Sequence, residues 1–276
     1  MASQRSTEDI EIGLVLEAIH ARYGYDLRGY AAPSIARRVR SLLARSGLPH
    51  LGELQHRLLD DPAFFASSLD ELTVQVSDMF RDPDLYVAFR QRVVPILRTY
   101  PHVKIWHAGC ASGEEVYATA ILLAEENLYA RCQIYATDLS AAALERAREG
   151  IYPEDRAAPF SRNYIDAGGK TRFEDHCCLG YGHIALHEGL RENVVFFQHN
   201  LASDYALGEM HVIFCRNVLI YFGSALQERV LSIFSDALCR GGFLCLGRSE
   251  SLPASLDAQY QAFAARERVF RRRGQA

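Results

Sequence analysis

The stretch WHAGCASGEEVYATA, from Trp106 to Ala120, decides how the rest of the chain is read. A β-prone run, VKIWH, meets a tight loop of Ala, Gly, Cys and Ser residues, and two glutamates then open an apolar helix. Strand, small-residue turn and helix in that order open a doubly wound α/β sheet, in which ligands bind at the carboxyl ends of the strands. The turn lacks the full G-x-G-x-x-G spacing. It also sets Glu114 and Glu115 where a pyrophosphate needs bare amides at a positive helix end.

Outward from that turn the same grammar repeats. CQIYATD (132–138) reads as a strand and AAALERARE (141–149) as a helix. Later, HVIFCRNVLIYF (211–222), SALQERVLSIFSDAL (224–238) and GGFLCLGRSE (241–250) read as strand, helix and strand. Apolar strands separated by amphipathic helices predict a mostly parallel sheet covered on both faces. Ser224 and Gln227 have capping-box spacing at one helix start. Between about Gly168 and Gln198 the rhythm breaks into short β-like runs and turn glycines, which predicts a small antiparallel insertion of about 168–198.

Upstream of about residue 85 only helical periodicity is present. Ile12, Val15, Leu16 and Ile19 share one face of a helix closing near Tyr23–Gly24. Ile35, Val39, Leu42 and Leu43 share a face of a second, opened by Pro33 and followed by Gly47. LGELQHRLL and PAFFASSLDEL continue the pattern. The expected organisation is an all-α N-terminal domain, 1–84, followed by an α/β domain, 85–276.

Composition narrows the function classes. A net charge of −4 over 276 residues, with 49% hydrophobic residues, argues against a general nucleic-acid or membrane-surface binder. No run approaches the roughly 18 apolar residues of a membrane span, and MASQRSTEDIEIG has no basic region ahead of an apolar run. The seven cysteines are scattered, with no Cys/His spacing of a zinc site. They read as reduced, mostly buried thiols of a cytoplasmic protein that needs no structural metal.

Asp138, twenty-five residues beyond Gly113, ends the second strand where an acid accepts hydrogen bonds from ribose hydroxyls. Gly109 lets the backbone approach a ligand closely. Glutamates at the turn favour a ligand carrying positive charge, and S-adenosylmethionine has an ammonium, a sulfonium, a ribose and no phosphate. The competing readings are that the glutamates only complement the helix dipole, and that the ligand is NAD.

The motifs WHAGCASGEEVYATA, YATDLS, IFCRNVLIYF and GRSESL, preceded by LTVQVSDMFRDPDLY, closely resemble the CheR family of chemoreceptor glutamate methyltransferases. The resemblance runs from about residue 10 to 270. It implies a Rossmann-like methyltransferase domain that moves a methyl group from S-adenosylmethionine to a glutamate side chain of a methyl-accepting chemotaxis protein. The products are a γ-glutamyl methyl ester and S-adenosylhomocysteine. By the same resemblance Gln75, Ser77, Arg81, Gly109, Glu115, Asp138, Asn200, Leu201, Arg216 and Asn217 contact the cofactor, and Arg81 and Tyr221 flank the transferring methyl. Gln75 and Ser77 depart from the asparagine and threonine usual in the family. The insertion corresponds to the family's small β-subdomain.

SIARRVRSLLARSG carries Arg37, Arg38, Arg40 and Arg45, either a solvated basic face or a docking surface for the glutamate-rich helical region of a receptor. A nicotinamide-dependent oxidoreductase and a non-catalytic S-adenosylmethionine-binding or receptor-docking module are the alternatives. The missing third glycine argues against the first. The intact Arg81, Tyr221 and Cys-Arg-Asn positions argue against the second.

Overall fold

The computed structural model describes residues 6–73 and 75–274. Four helices come first: α1 (Thr7–Tyr23), α2 (Ala32–Ser46), α3 (Leu51–Asp60) and α4 (Pro62–Leu72). Ser6 and Asp9 form a capping box at the start of α1, and Gly24 ends it at φ 77°, the left-handed conformation glycine adopts without strain. The face Ile12, Val15, Leu16 and Ile19 packs with Ile35, Val39, Leu42, Leu54, Leu58 and Leu72 into a separate helical core, while Leu43 lies at its margin.

The α/β part begins with α5 (Pro83–Ala88), a widened turn over Phe89–Val93, and α6 (Val94–Leu97). It continues through β1 (Val103–Ala108), α7 (Glu114–Glu125), β2 (Cys132–Asp138), α8 (Ala141–Glu149), β3 (Ile151–Pro153), α9 (Ala157–Asp166), β4 (Cys177–Gly180) and β5 (His183–Leu186). It ends with β6 (Val194–Gln198), β7 (Met210–Cys215), α10 (Ser224–Ala237), β8 (Leu238–Leu246), β9 (Tyr260–Ala264) and β10 (Val269–Arg272). The main sheet runs β6-β2-β1-β7-β8-β10-β9, parallel from β6 to β8, with β10 antiparallel to both neighbours. From β1 the chain steps outward to β2 and later to β6, then crosses to β7 on the other side of β1. The reversal leaves a crevice at the carboxyl ends of β1 and β7.

Three expectations are corrected by the structure. First, the antiparallel sheet is β3-β5-β4, so it recruits Ile151–Pro153 and does not include Val194–Gln198. Gly150 ends α8 in the left-handed conformation, and Tyr152 then pairs opposite Ile184, so the insertion spans 151–186 rather than 168–198. VVFFQ instead pairs parallel to β2, Ile134 opposite Val194, as the edge of the main sheet. Second, the change of core falls before 84: Leu72 closes the helical core, whereas Met79 and Phe80 are fully buried in the α/β core. Third, Ser224 does not cap α10. Gly223 occupies the cap position, and the Gln227 amide instead donates to the carbonyls of Leu219 and Phe222.

The two parts are stitched together over the crevice. The Ala31 N–H donates to the Tyr221 carbonyl at 2.8 Å, the Gly223 N–H to the Gly29 carbonyl at 2.8 Å, and Tyr30 packs edge-on against Phe222. Ser140 hydrogen-bonds Asp70 from the first turn of α8.

Candidate active site

Two adjoining pockets occupy the crevice and share Gly109, Asn217 and Val218. One is lined by Tyr30, Gln75, Asp138, His199, Asn200, Leu201 and Tyr221 among others; the other by Ser77, Arg81, Ala111, Glu115 and Arg216 among others. All eleven residues assigned to cofactor and catalysis from the sequence therefore meet in one place, drawn from the 75–81 strap, the turn after β1, the end of β2, the loop after β6 and the loop after β7.

The turn after β1 is folded so that four of its amides are consumed internally. The Gly109 and Cys110 N–H groups donate to the Thr137 carbonyl at 2.8 and 2.9 Å, and the Gly113 N–H to the Cys110 carbonyl at 3.0 Å. Ala111, at φ 48°, aims its N–H at Asp138 Oδ2, 2.8 Å away. A pyrophosphate needs such amides free. A Cβ on Gly109 would lie 2.6 Å from Val218 Cγ2, and one on Gly113 2.9 Å from Ala147 Cβ. The first glycine thus brings the loops after β1 and β7 together, and the second seats α7 against α8.

Asp138 is 8% exposed. Besides Ala111, its carboxylate accepts from the Ser140 N–H at 2.9 Å and from Gln75 Nε2 at 3.3 Å. Burial raises its pKa above the ordinary aspartate value, against the lowering effect of these hydrogen bonds. Gln75 reaches back to both Asp138 and the Thr73 hydroxyl, which takes up the extra methylene. Its Oε1 is buried without a partner, as are His199 Nδ1 on the same pocket wall and Arg216 Nε on the other. Orphaned polar atoms of this kind call for hydrogen bonds that only a ligand or water can supply.

Glu115 does not face the crevice as a free charge. Its Oε1 lies 3.1 Å from His107 Nδ1 and its Oε2 2.5 Å from Arg216 Nη1. Burial alone would push this carboxyl up, but the Arg216 guanidinium and His107 outweigh it and hold the pKa below the usual range. Arg216 also donates to the Arg81 carbonyl at 2.9 Å and to Asp82 Oδ2 at 2.7 Å. The interrupted strand is thus a tie between the β7 loop, α7 and the strap. Arg81 differs: its guanidinium makes no hydrogen bond or ion pair with another described residue, and it lines the pocket beside Asn217.

The basic residues of α2 separate likewise. Arg40 pairs with Glu8 at 2.6 Å and Arg45 with Glu71 at 3.4 Å. Arg38 turns inward, donating to the Thr73 carbonyl at 2.7 Å and stacking over the Tyr221 ring at 5.2 Å. Arg37 is exposed and has no such tie. Residues the sequence did not single out include Tyr30 and His199 on the pocket wall and Glu250 behind the β7 loop. The only sequence signal for Glu250 is its place in the GRSESL motif.

Residues 75–269 match the family described as CheR methyltransferase, SAM binding domain, and residues 10–73 match CheR methyltransferase, all-alpha domain. A Pseudomonas putida chain named Cher3 is 45% identical across 99% of this chain and 100% of its own length. Chemotaxis protein methyltransferase 1 of Pseudomonas aeruginosa is 32% identical, covering 82% of this chain and 84% of that one. The chemotaxis protein methyltransferase of Vibrio parahaemolyticus is 34% identical, covering 69% and 70%.

Proposed function

The chain belongs to the CheR family of S-adenosylmethionine-dependent methyltransferases, and from that premise we propose that it methylates glutamate side chains of a chemoreceptor to γ-glutamyl methyl esters. The observation that carries this reading is the single crevice in which Asp138, the unpaired Arg81, Asn217 and Tyr221 converge beside a turn whose amides are already spent.

The cofactor supplies a methyl group carried on a positively charged sulfur. In our reading Asp138 holds the ribose hydroxyls, and Gln75, His199, Asn200 and Leu201 close around the adenosyl part. Asn217 and the turn at Gly109 hold the amino-acid part. Glu115 acts through Arg216, fixing the wall instead of touching the ammonium directly. The acceptor carboxylate needs no strong base, because it is ionised and nucleophilic at neutral pH. The work left to the protein is alignment and exclusion of water. The free guanidinium of Arg81 suits a charge-assisted hydrogen bond to the incoming carboxylate, and Tyr221, braced by Arg38, stands on the opposite side of Asn217.

The receptor partner is read from the names of the relatives and from the exposed Arg37, Arg40 and Arg45 on α2, which suit an acidic helical surface. Among the described residues no helix is long and apolar enough to cross a membrane.

The test is calorimetry with S-adenosylmethionine, S-adenosylhomocysteine and NAD, followed by transfer of labelled methyl to receptor cytoplasmic fragments. Binding of both adenosyl ligands, and label released as methanol in alkali, is expected. NAD binding with no response to either adenosyl ligand overturns the reading. Binding without transfer to any fragment marks a docking module instead.

A further inference from the structure

Glu250 is 4% exposed and lines neither pocket of the crevice. Its Oε1 accepts from the Val218 N–H at 2.9 Å and the Ile220 N–H at 3.3 Å. Its Oε2 accepts from the Asn217 N–H at 3.0 Å and the Gly247 N–H at 2.6 Å. Among the described residues no cation pairs with it; its charge is answered by four backbone amides. An ionised carboxylate has about four lone-pair directions, and here all are in use. Three of the four amides belong to the loop that follows β7, where Asn217 sits at φ 59°, the left-handed conformation that few residues besides glycine and asparagine adopt. Asparagine tolerates that turn but does not by itself select it. The fourth amide, Gly247, belongs to the end of β8, where a Cβ would stand 2.8 Å from both the Asn217 nitrogen and Glu250 Oε2.

We propose that Glu250 is a positioning residue for methyl transfer. Its carboxylate gathers the amides of Asn217, Val218, Ile220 and Gly247 around one anion, and so sets where the Asn217 and Tyr221 side chains stand in the crevice. This rests on the reading of the crevice as the methyl-transfer site. Four convergent amides make an anion nest. Only a carboxylate satisfies all of them, because an amide side chain in the same place turns two donors against two donors. Gln227 restrains the same loop from the side of α10 through the Leu219 and Phe222 carbonyls, but it does not touch the 217–218 amides. The tie to β8 through Glu250 is therefore the one that gathers the 217–218 amides.

The experiment compares wild type, Glu250→Gln, Gly247→Ala, Tyr221→Phe and the Glu250→Gln/Tyr221→Phe pair for S-adenosylhomocysteine affinity and turnover on a receptor fragment. Thermal melts establish which variants are folded. Displacing a reacting group by about 1 Å costs on the order of 100-fold in rate, so Glu250→Gln should lose about 100-fold in kcat and less than about tenfold in affinity. Gly247→Ala, which crowds the Asn217 amide and Glu250 Oε2 while leaving the carboxylate chemically intact, should reproduce that split. The paired variant should lose little more than its worse single, because Glu250 acts through the loop that carries Tyr221, whereas independent sites multiply their losses. A folded Glu250→Gln with wild-type turnover overturns the proposal, and so do multiplying losses in the pair. If Glu250→Gln does not fold, Gly247→Ala decides, and a wild-type profile there is a refutation. A wild-type chain inert toward S-adenosylhomocysteine overturns the reading of the crevice and this inference with it. An active wild type with an indifferent Glu250→Gln overturns this inference alone.

Discussion

Asp138 ends β2 and Glu250 lies just beyond the carboxyl end of β8, and both are buried carboxylates that accept backbone amides. They differ in what is left over. Glu250 accepts four amides and faces no pocket, whereas Asp138 accepts two amides and one side-chain amide and lines the pocket. A carboxylate with acceptor capacity to spare on an open wall is available to a ligand; one that is saturated belongs to the frame. The same contrast separates Arg81, which has no partner among the described residues, from Arg216, which is held by Glu115, Asp82 and the Arg81 carbonyl.

The sharpest way to break the contrast is at Arg81. If it orients the acceptor, Arg81→Ala should lower turnover by about 100- to 1000-fold, the range for removing one preorganised electrostatic donor. S-adenosylhomocysteine affinity should stay within about threefold. Equal losses in both assays would place Arg81 on the donor side and erase the distinction between the walls. Asp138→Ala should do the reverse, weakening S-adenosylhomocysteine by about 100-fold in calorimetry. Two hydrogen bonds to a charged group are worth roughly 1.5–3 kcal/mol each, and part of that is regained from water.

Acidification probes the same wall more gently. Only the ionised Asp138 accepts from two hydroxyls, and burial raises its pKa. Affinity should therefore fall as pH drops through that raised value, by about tenfold per unit below it. The onset should lie above the ordinary aspartate pKa near 3.9. A calorimetric series that stays flat down to pH 4 would leave Asp138 without its assigned partner.

A third carboxylate extends the comparison to the ion-paired case. Glu125 on α7 is met by His176, Tyr164, the Lys170 N–H and Arg90, which tie α7 to the middle of the insertion and to the widened turn after α5. Burial alone would raise its pKa, but these hydrogen bonds outweigh it and bring it to about 2. A carboxyl lowered from its unfolded value near 4.5 contributes stability that is fully present above about pH 4.5 and is lost as pH falls toward 2. Glu125→Gln should lower the melting temperature by roughly 5–10 °C at neutral pH, as breaking a buried pair does. The gap should close below pH 4. The smallest effect belongs to α2: Arg37→Glu should raise KM for a receptor fragment about two- to threefold at low salt, and not at high salt. No change at low salt removes α2 from the docking surface.

Much of this was legible beforehand because the relevant signals are local. Helical periodicity marked Ile12, Val15, Leu16 and Ile19, and the strand–turn–helix order placed Gly109 and Asp138 at one end of the sheet. Readings that depended on partners distant in sequence went differently. Val194–Gln198 looked like part of the insertion, because a short apolar run carries no mark of which sheet receives it. Glu115 reads as a ligand for an ammonium, and nothing near it in sequence reveals that Arg216, 101 residues away, is its partner at the pocket. Three of the four α2 arginines read as one basic face with Arg37 but have intramolecular partners, on α1, α4 and the 71–73 segment.

By itself the sequence determined the two-part architecture, the order of the sheet-forming units and the family, because periodicity, glycine turns and motif spacing are written along the chain. Tertiary structure decided which of several similar charged groups is free. Glu250 and Asp138, or Arg216 and Arg81, are the same residue types in the same kind of loop. Only the folding together of β2, β7, β8 and the 75–81 strap determines whose hydrogen-bonding capacity is used up and whose remains open to a ligand.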